Sequence, residues 1–137
     1  PVLTAMGAAV HHAGLTGSGA LVKLGVNAMF GLQVAALAEV IGLMRAGGVD
    51  PARAVEIIGA TPVMSPAAAA AAASMLAGRF APLFPVELVE KDFGYVEAAA
   101  GALGGSMPLA GAAREVMRQA IARGYGEENL TGVVRLY

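Results

Sequence analysis

Apolar residues recur at the three-and-four spacing of an α-helix along most of the chain, and Gly and Pro stand between the periodic stretches. From about Ser18 to Arg45 the pattern is unbroken, with Leu21, Leu24, Ala28, Leu32, Ala35 and Ala36 among its apolar positions, and Gly47-Gly48 ends it. Such a helix measures roughly 42 Å at a rise of about 1.5 Å per residue, more than a small domain needs, so it has the reach to bridge two bodies. Asp50-Pro51 pairs an N-cap with Pro at the first helical position and opens a short helix to Ile58; Ser65-Pro66 repeats the signal and opens an Ala-rich helix to Ala77, stopped by Gly78. A loop with Phe80, Pro82, Phe84 and Pro85 leads to a helix over Val86–Leu103, terminated by Gly104-Gly105. Pro108 starts the next, in which Leu109, Ala112, Ala113, Val116, Met117, Ala120 and Ile121 form an apolar stripe opposite Arg114, Glu115, Arg118 and Gln119. Gly124 and Gly126 break it before a last short helix near Asn129–Leu136. The first sixteen residues are mixed, with Ala8 to His12 the one candidate strand. No hairpin signal and no internal repeat are present, so the pattern predicts an all-α helical bundle with one long N-terminal helix.

Composition changes this picture in one respect. Of 137 residues, 57% are hydrophobic and 14% charged, against about 25% charged in an average soluble domain. That is too little charge to coat a lone globule, and the expectation is a bundle that hides part of its surface in a larger assembly. The net charge of −1 leaves no basic excess to neutralise a nucleic-acid backbone. The most apolar stretch, Lys23 to Met44, carries Lys23, Asn27, Gln33 and Glu39 within it rather than at its flanks, which reads as a buried helix of a soluble protein and not a membrane span. The absence of cysteine removes disulfides, thiolate chemistry and Cys-ligated metals. Cytoplasm is the default compartment. The start at Pro1-Val2-Leu3-Thr4 has no basic n-region and reads as a cut inside a longer chain.

Two stretches hold candidate chemistry. In Gly17-Ser18-Gly19-Ala20-Leu21-Val22-Lys23-Leu24-Gly25-Val26-Asn27, Lys23 and Asn27 are four residues apart and lie one helical turn from each other. A Lys near the start of a strongly apolar helix is either a snorkelling side chain or a group with a task. The glycines fail as a dinucleotide fingerprint, since no third Gly follows at the required offset and no βαβ unit surrounds them. In the second stretch, Leu88 to Phe93, helical spacing puts Leu88, Lys91, Asp92 and Tyr95 on one face; the bland alternative is a surface ion pair of Lys91 with Glu87 or Glu90. His11 and His12, being adjacent, would point to opposite sides of a strand and make no metal site.

Taken in order, Gly17-x-Gly19, Lys23-x-x-x-Asn27, the long helix with Glu39, Phe80-x-Pro82-x-Phe84, Leu88-x-x-Lys91-Asp92-Phe93, Pro108 and Gly124-x-Gly126 resemble the C-terminal helical domain of the β-hydroxyacid dehydrogenases. That group contains 3-hydroxyisobutyrate dehydrogenase, tartronate semialdehyde reductase and the glyoxylate/succinic semialdehyde reductases. The resemblance implies a two-part enzyme, in which an N-terminal Rossmann domain holds NAD or NADP and the long helix joins it to a helical substrate and dimerisation domain. Residues 1–16 would be the remnant of the first part, with Met6-Gly7 and His12-x-Gly14 as similar residues, and 17–137 would be the second. On this resemblance Lys23 falls on the catalytic general acid/base, Asn27 on the substrate-orienting residue, Gly19 and its neighbour Gly17 on a backbone approach to the substrate, Phe84 and Asp92 on the substrate pocket, and Lys91 on a cofactor contact. The chemistry suits the residue types: hydride delivery to a carbonyl leaves an oxyanion that an ammonium can protonate, and apolar surroundings draw a Lys pKa toward the working pH.

Many members have two Asn after the Lys, and Val26 replaces the first here. Lys23 argues against the related imine reductases, and the short length and lack of a nearby His argue against a 6-phosphogluconate-type decarboxylating enzyme. The expected substrate is a small hydroxy acid or its semialdehyde, the expected assembly a homodimer, and the 137 residues alone are expected to be inactive. The rival from another class is a non-enzymatic helical interaction module, with Lys23 and Asn27 as polar residues at a buried seam.

Overall fold

The computed structural model describes residues 2–137, the side chain of Leu3 excepted. Its elements are α1 (Val2–Met6), α2 (Ser18–Ala46), α3 (Pro51–Gly59), α4 (Pro66–Leu76), α5 (Val86–Ala102), α6 (Pro108–Ala122) and a 3₁₀ helix (Leu130–Leu136). The expected all-α architecture is what forms, and among the described residues there is no strand. Ala8 to His12 is a correction: the segment has no regular structure, because an extended segment needs a partner strand and these residues have none to pair with. Of the expected N-terminal remnant, Pro1 lies outside the described residues.

The helix starts follow local chemistry. The Asp50 carboxylate accepts the Ala52 N–H at 3.1 Å and the Ser65 hydroxyl accepts the Ala68 N–H at 3.1 Å, each satisfying an orphan donor of the first turn and worth about 1 kcal/mol. Gly48, just past the end of α2, takes φ +71°, a conformation costly for any residue with a Cβ.

The second half of α2 is the axis of the bundle. It contacts α3, α4, α5, α6 and the 3₁₀ helix, and its buried positions run from Ala28 to Gly42. By length and composition alone α2 is apolar enough to cross a membrane, but 39% of its most apolar window is already buried inside the chain. Phe93 of α5 crosses α2 at Gly31, where a Cβ would stand 2.7 Å from the Phe93 ring. Gly42 gives the same clearance to Tyr137. Fully buried Phe93, Ile41, Met117, Leu130 and five valines around them contribute on the order of 1.5–3 kcal/mol each.

On α6 the buried residues are Ala110, Ala113, Met117 and Ala120, while Leu109, Ala112 and Ile121 of the expected stripe are exposed. The helix is rolled because its polar side is engaged as well. Arg114 pairs with Glu90 at 2.7 Å and Glu97 at 2.8 Å, and Arg118 with Glu90 at 3.1 Å. Burial pushes the Glu90 carboxyl up, but the hydrogen bonds and charges of Arg114 and Arg118 outweigh it and hold the group below its ordinary value. Glu90 is thus bound to α6, which replaces the expected pairing of Lys91 with Glu87 or Glu90.

The last segment is a 3₁₀ helix rather than an α-helix. Its residues Leu130, Thr131, Gly132, Val133 and Val134 are all buried, and Thr, Gly and Val are poor α-helix formers.

Candidate functional site

Residues 18–27 of α2 contain no buried position. This half-helix is only partly packed, with Leu24 against the core, while Leu21, Val22 and Val26 expose apolar surface along it. Gly17 caps it with φ +96°, a left-handed conformation that favours glycine, and Gly19 follows in the first turn with nothing within 4 Å of where a Cβ would be. Lys23 is exposed, which corrects the expectation that its surroundings in this chain are water-poor. The side chains that would desolvate it have to come from outside the bundle, because the neighbouring apolar positions on α2 are themselves uncovered.

One turn further along, α2 meets α5. The Asn27 carboxamide donates from Nδ2 to Asp92 Oδ2 at 2.6 Å, and both residues are half-buried. This hydrogen bond joins the two stretches singled out in the sequence across 65 positions. It also fixes the carboxamide, leaving its oxygen without a hydrogen-bond donor among the described residues. The chain has two lysines, and they flank this bond: Lys23 one turn before Asn27, and Lys91 immediately before Asp92. Neither makes an ion pair among the described residues, whereas Arg53, Arg114, Arg118 and Arg135 each do.

Asn27 forms one edge of an open groove of about 870 Å³ between α2, the start of α4 and Phe84. Its walls are apolar, from Val22, Val26, Met29 and Phe30 on α2, Pro66 on α4, and Phe84. The remaining polar groups in it are Gln33 and Ser65, which hold each other: the Ser65 hydroxyl donates to Gln33 Oε1 while Gln33 Nε2 donates to the Met29 carbonyl at 3.1 Å. The structure therefore brings together Asn27, Asp92 and Phe84. Lys23 and Lys91 are exposed beside them, and Gly19 lies a turn further toward the helix start. Gln33 and Ser65 were legible only as a polar position in an apolar helix and as a helix cap.

Phe84 reaches the groove from a loop that is laced to the segment before the 3₁₀ helix. Asn129 N–H donates to the Phe80 carbonyl at 3.0 Å, Leu130 N–H to the Phe84 carbonyl at 2.9 Å, and Val86 N–H to the Glu128 carbonyl at 3.0 Å. The Phe84 N–H donates to the side-chain oxygen of Asn129 at 3.1 Å. Nothing in the sequence pattern marked Asn129 beyond the start of the last segment. No group of His, Asp or Glu able to hold a metal occurs among the described residues.

Similarity to proteins of known sequence and structure gives the class: the bundle is the helical domain of a dehydrogenase family. The chain belongs to the family described as NAD-binding of NADP-dependent 3-hydroxyisobutyrate dehydrogenase, whose family model matches residues 17–137. It is 31% identical over 134 residues to glyoxylate/succinic semialdehyde reductase 2 of Arabidopsis thaliana, covering 98% of this chain and 37% of that protein. It is 31% identical over 138 residues to 2-(hydroxymethyl)glutarate dehydrogenase of Eubacterium barkeri, covering 100% of this chain and 46% of that protein. Among solved structures, 3-hydroxyisobutyrate dehydrogenase of Salmonella typhimurium superposes with a TM-score of 0.84 at 26% identity, over 88% of this chain and 42% of that one. The chain spans less than half the length of these proteins.

Proposed function

We propose that this chain is the helical substrate and dimerisation domain of an NAD(P)-dependent dehydrogenase that interconverts a small β-hydroxy acid and its semialdehyde. The observation that carries the reading is the Asn27–Asp92 hydrogen bond at the edge of the groove, with both lysines of the chain unpaired beside it. When bound, the nicotinamide supplies or accepts a hydride. The chain's own residues do the rest. Lys23 gives a proton to the oxygen of the carbonyl under reduction and takes it back in the reverse direction, one turn from the carboxamide of Asn27, which orients the substrate. Asp92 holds the carboxamide nitrogen, which leaves the carboxamide oxygen free to accept from the hydroxyl of the hydroxy acid. Gly19, in the first turn of α2, lets the helix N-terminus approach the substrate carboxylate. Phe84 walls the apolar side.

Lys91 fits an anionic cofactor, being an exposed cation with no acidic partner among the described residues. A nucleotide-binding portion supplied by the rest of the polypeptide covers the projecting half of α2, including Leu21, Val22 and Val26, and so encloses Lys23. The bundle alone is inactive on this reading, the protein is cytoplasmic, and its exposed apolar faces are covered in a homodimer.

The test is made in the complete protein that carries this chain. Lys23→Ala lowers kcat by about 10²–10⁴-fold, the usual worth of a positioned general acid. Lys23→Arg does not restore it, because a guanidinium does not release its proton. Turnover within a few-fold of the parent in either variant overturns the assignment of Lys23. Sedimentation velocity checks the assembly, and a strictly monomeric protein removes the dimer from the reading.

A further inference from the structure

We infer that Asn129 is a positioning residue, which acts on the substrate through Phe84 by fixing the loop that carries it. The inference rests on the reading of the Asn27 groove as the substrate site. Residues 80–85 have no helix, and their regular pairing is the single bridge of Pro85 to Asn129. Within this loop Leu83 is 91% exposed while its neighbour Phe84 turns inward to the groove. An aromatic ring next to a fully solvated leucine on a loop needs a reason to face one way, and the backbone of Phe84 provides it. Both of its polar groups are engaged, the carbonyl by the Leu130 N–H and the N–H by the Asn129 side chain.

The Asn129 carboxamide has one orientation available to it. A backbone N–H cannot accept, so the oxygen must face Phe84 and the nitrogen must face the other way. There Nδ2 donates to Thr131 Oγ1 at 2.9 Å. Thr131 Oγ1 stands 3.3 Å from Ser74 Oγ, which donates to the Arg79 carbonyl. The donors therefore run in one direction, from Asn129 through Thr131 and Ser74 to the end of α4, and every member is satisfied. Asn129 is 9% exposed and Thr131 2%, so losing a partner leaves a buried polar group with no water to replace it. The polar chain begins at the Phe84 N–H, and it ties this groove residue to Thr131 of the 3₁₀ helix and to Ser74 of α4, neither of which lines the groove.

The experiment uses the complete protein and a hydroxy acid that it oxidises. Asn129→Ala is expected to raise KM about five- to tenfold, the scale of one lost hydrogen bond, with kcat within about twofold. Asn129→Asp keeps an acceptor for the Phe84 N–H but gives up the donor to Thr131 Oγ1, and its KM is expected to fall between those of the parent and Asn129→Ala. Phe84→Ala raises KM by itself, and adding Asn129→Ala to it is expected to raise KM no further, a non-additivity that a purely structural role elsewhere would not produce. Hydrogen exchange in the peptide containing the Phe84 amide speeds up in Asn129→Ala. Should that variant fail to fold, Thr131→Val removes the partner of Nδ2 and is expected to raise KM in the same direction. An unchanged KM in the Asn129 and Thr131 variants, or additive effects with Phe84→Ala, overturns the inference alone. No effect of Phe84→Ala itself overturns the groove as the substrate site, and the inference with it.

Discussion

Gly31→Ala tests the crossing on which the site is built. An added Cβ would lie 2.7 Å from Phe93 Cζ, 3.0 Å from Cε2 and 3.2 Å from Val89 Cγ1. Phe93 is 1% exposed and Val89 2%, so neither side chain has free space to retreat into. Overpacking of this kind costs about 1–3 kcal/mol, while replacing Gly by Ala inside a helix returns about 1 kcal/mol. The two effects oppose each other, and a single variant would be ambiguous. Gly25 lies in the same helix with nothing within 4 Å of its Cβ position, so Gly25→Ala carries the propensity gain without the clash. The difference between the two variants isolates the steric part, about 1–3 kcal/mol. Urea unfolding measures it, read as the shift in midpoint at constant slope. The same crossing sets the separation of Asn27, one turn before Gly31, from Asp92, next to Phe93. Gly31→Ala therefore also lowers turnover in the complete protein. A stability difference below about 0.5 kcal/mol between the two variants would show that the α2–α5 contact is loose and refute the steric argument.

Ser65→Ala removes both the cap of α4 and the donor to Gln33, and is expected to cost about 0.5–2 kcal/mol in urea unfolding; Ser65→Asp, which still accepts the Ala68 N–H, is expected to recover most of it. The Glu90 carboxyl is held below its ordinary value of 4.5, so its contribution is present above that pH and is lost as the pH falls through the lowered folded-state value. Thermal melting of Arg114→Met against the parent checks this: the gap in melting temperature should be widest near pH 7 and shrink in acid below pH 4.5, and a gap independent of pH would detach the ion pairs from stability. In the complete protein Lys91→Met is expected to weaken dinucleotide binding about fivefold with the hydroxy-acid KM unchanged, on the scale of one exposed charge contact; calorimetric titration showing equal affinity would remove Lys91 from the cofactor site.

The bundle was legible because each helix announces itself locally. Asp50-Pro51, Ser65-Pro66 and Pro108 fix starts, Gly47-Gly48, Gly78 and Gly104 mark ends, and the observed boundaries fall within a residue or two of those signals. What periodicity could not supply was the roll of α6. The spacing of Leu109, Ala112 and Ala113 defines a stripe, but which arc of it is buried depends on Glu90 and Glu97, two charges on another helix that draw Arg114 and Arg118 toward α5. The last segment was legible as a short helix but not as a 3₁₀ helix. Buried on many sides, Leu130, Val133 and Val134 show no one-faced pattern to read, and backbone pairing with the loop before α5 holds the segment's start in place.

The same distinction governs the site. Residue types and spacing drew attention to Lys23 with Asn27 and to Lys91 with Asp92, and it was the resemblance to the dehydrogenase family that singled them out, with Phe84, as site residues. Their mutual geometry was not legible, because the Asn27–Asp92 bond spans 65 positions and nothing in either stretch names its partner. Asn129 shows the limit from the other side: its role comes entirely from what it touches, a backbone N–H and a hydroxyl, and no pattern of residue types distinguishes it from an ordinary loop asparagine. For Lys23 the sequence conveyed an apolar neighbourhood and the structure an exposed side chain, and both follow from one fact. Leu21, Val22 and Val26 neighbour it along α2, and the bundle leaves about half of each exposed. Burial is a property of the surface that covers a residue, so a group whose chemistry needs exclusion of water acquires it only from a partner surface that closes over this half of the helix.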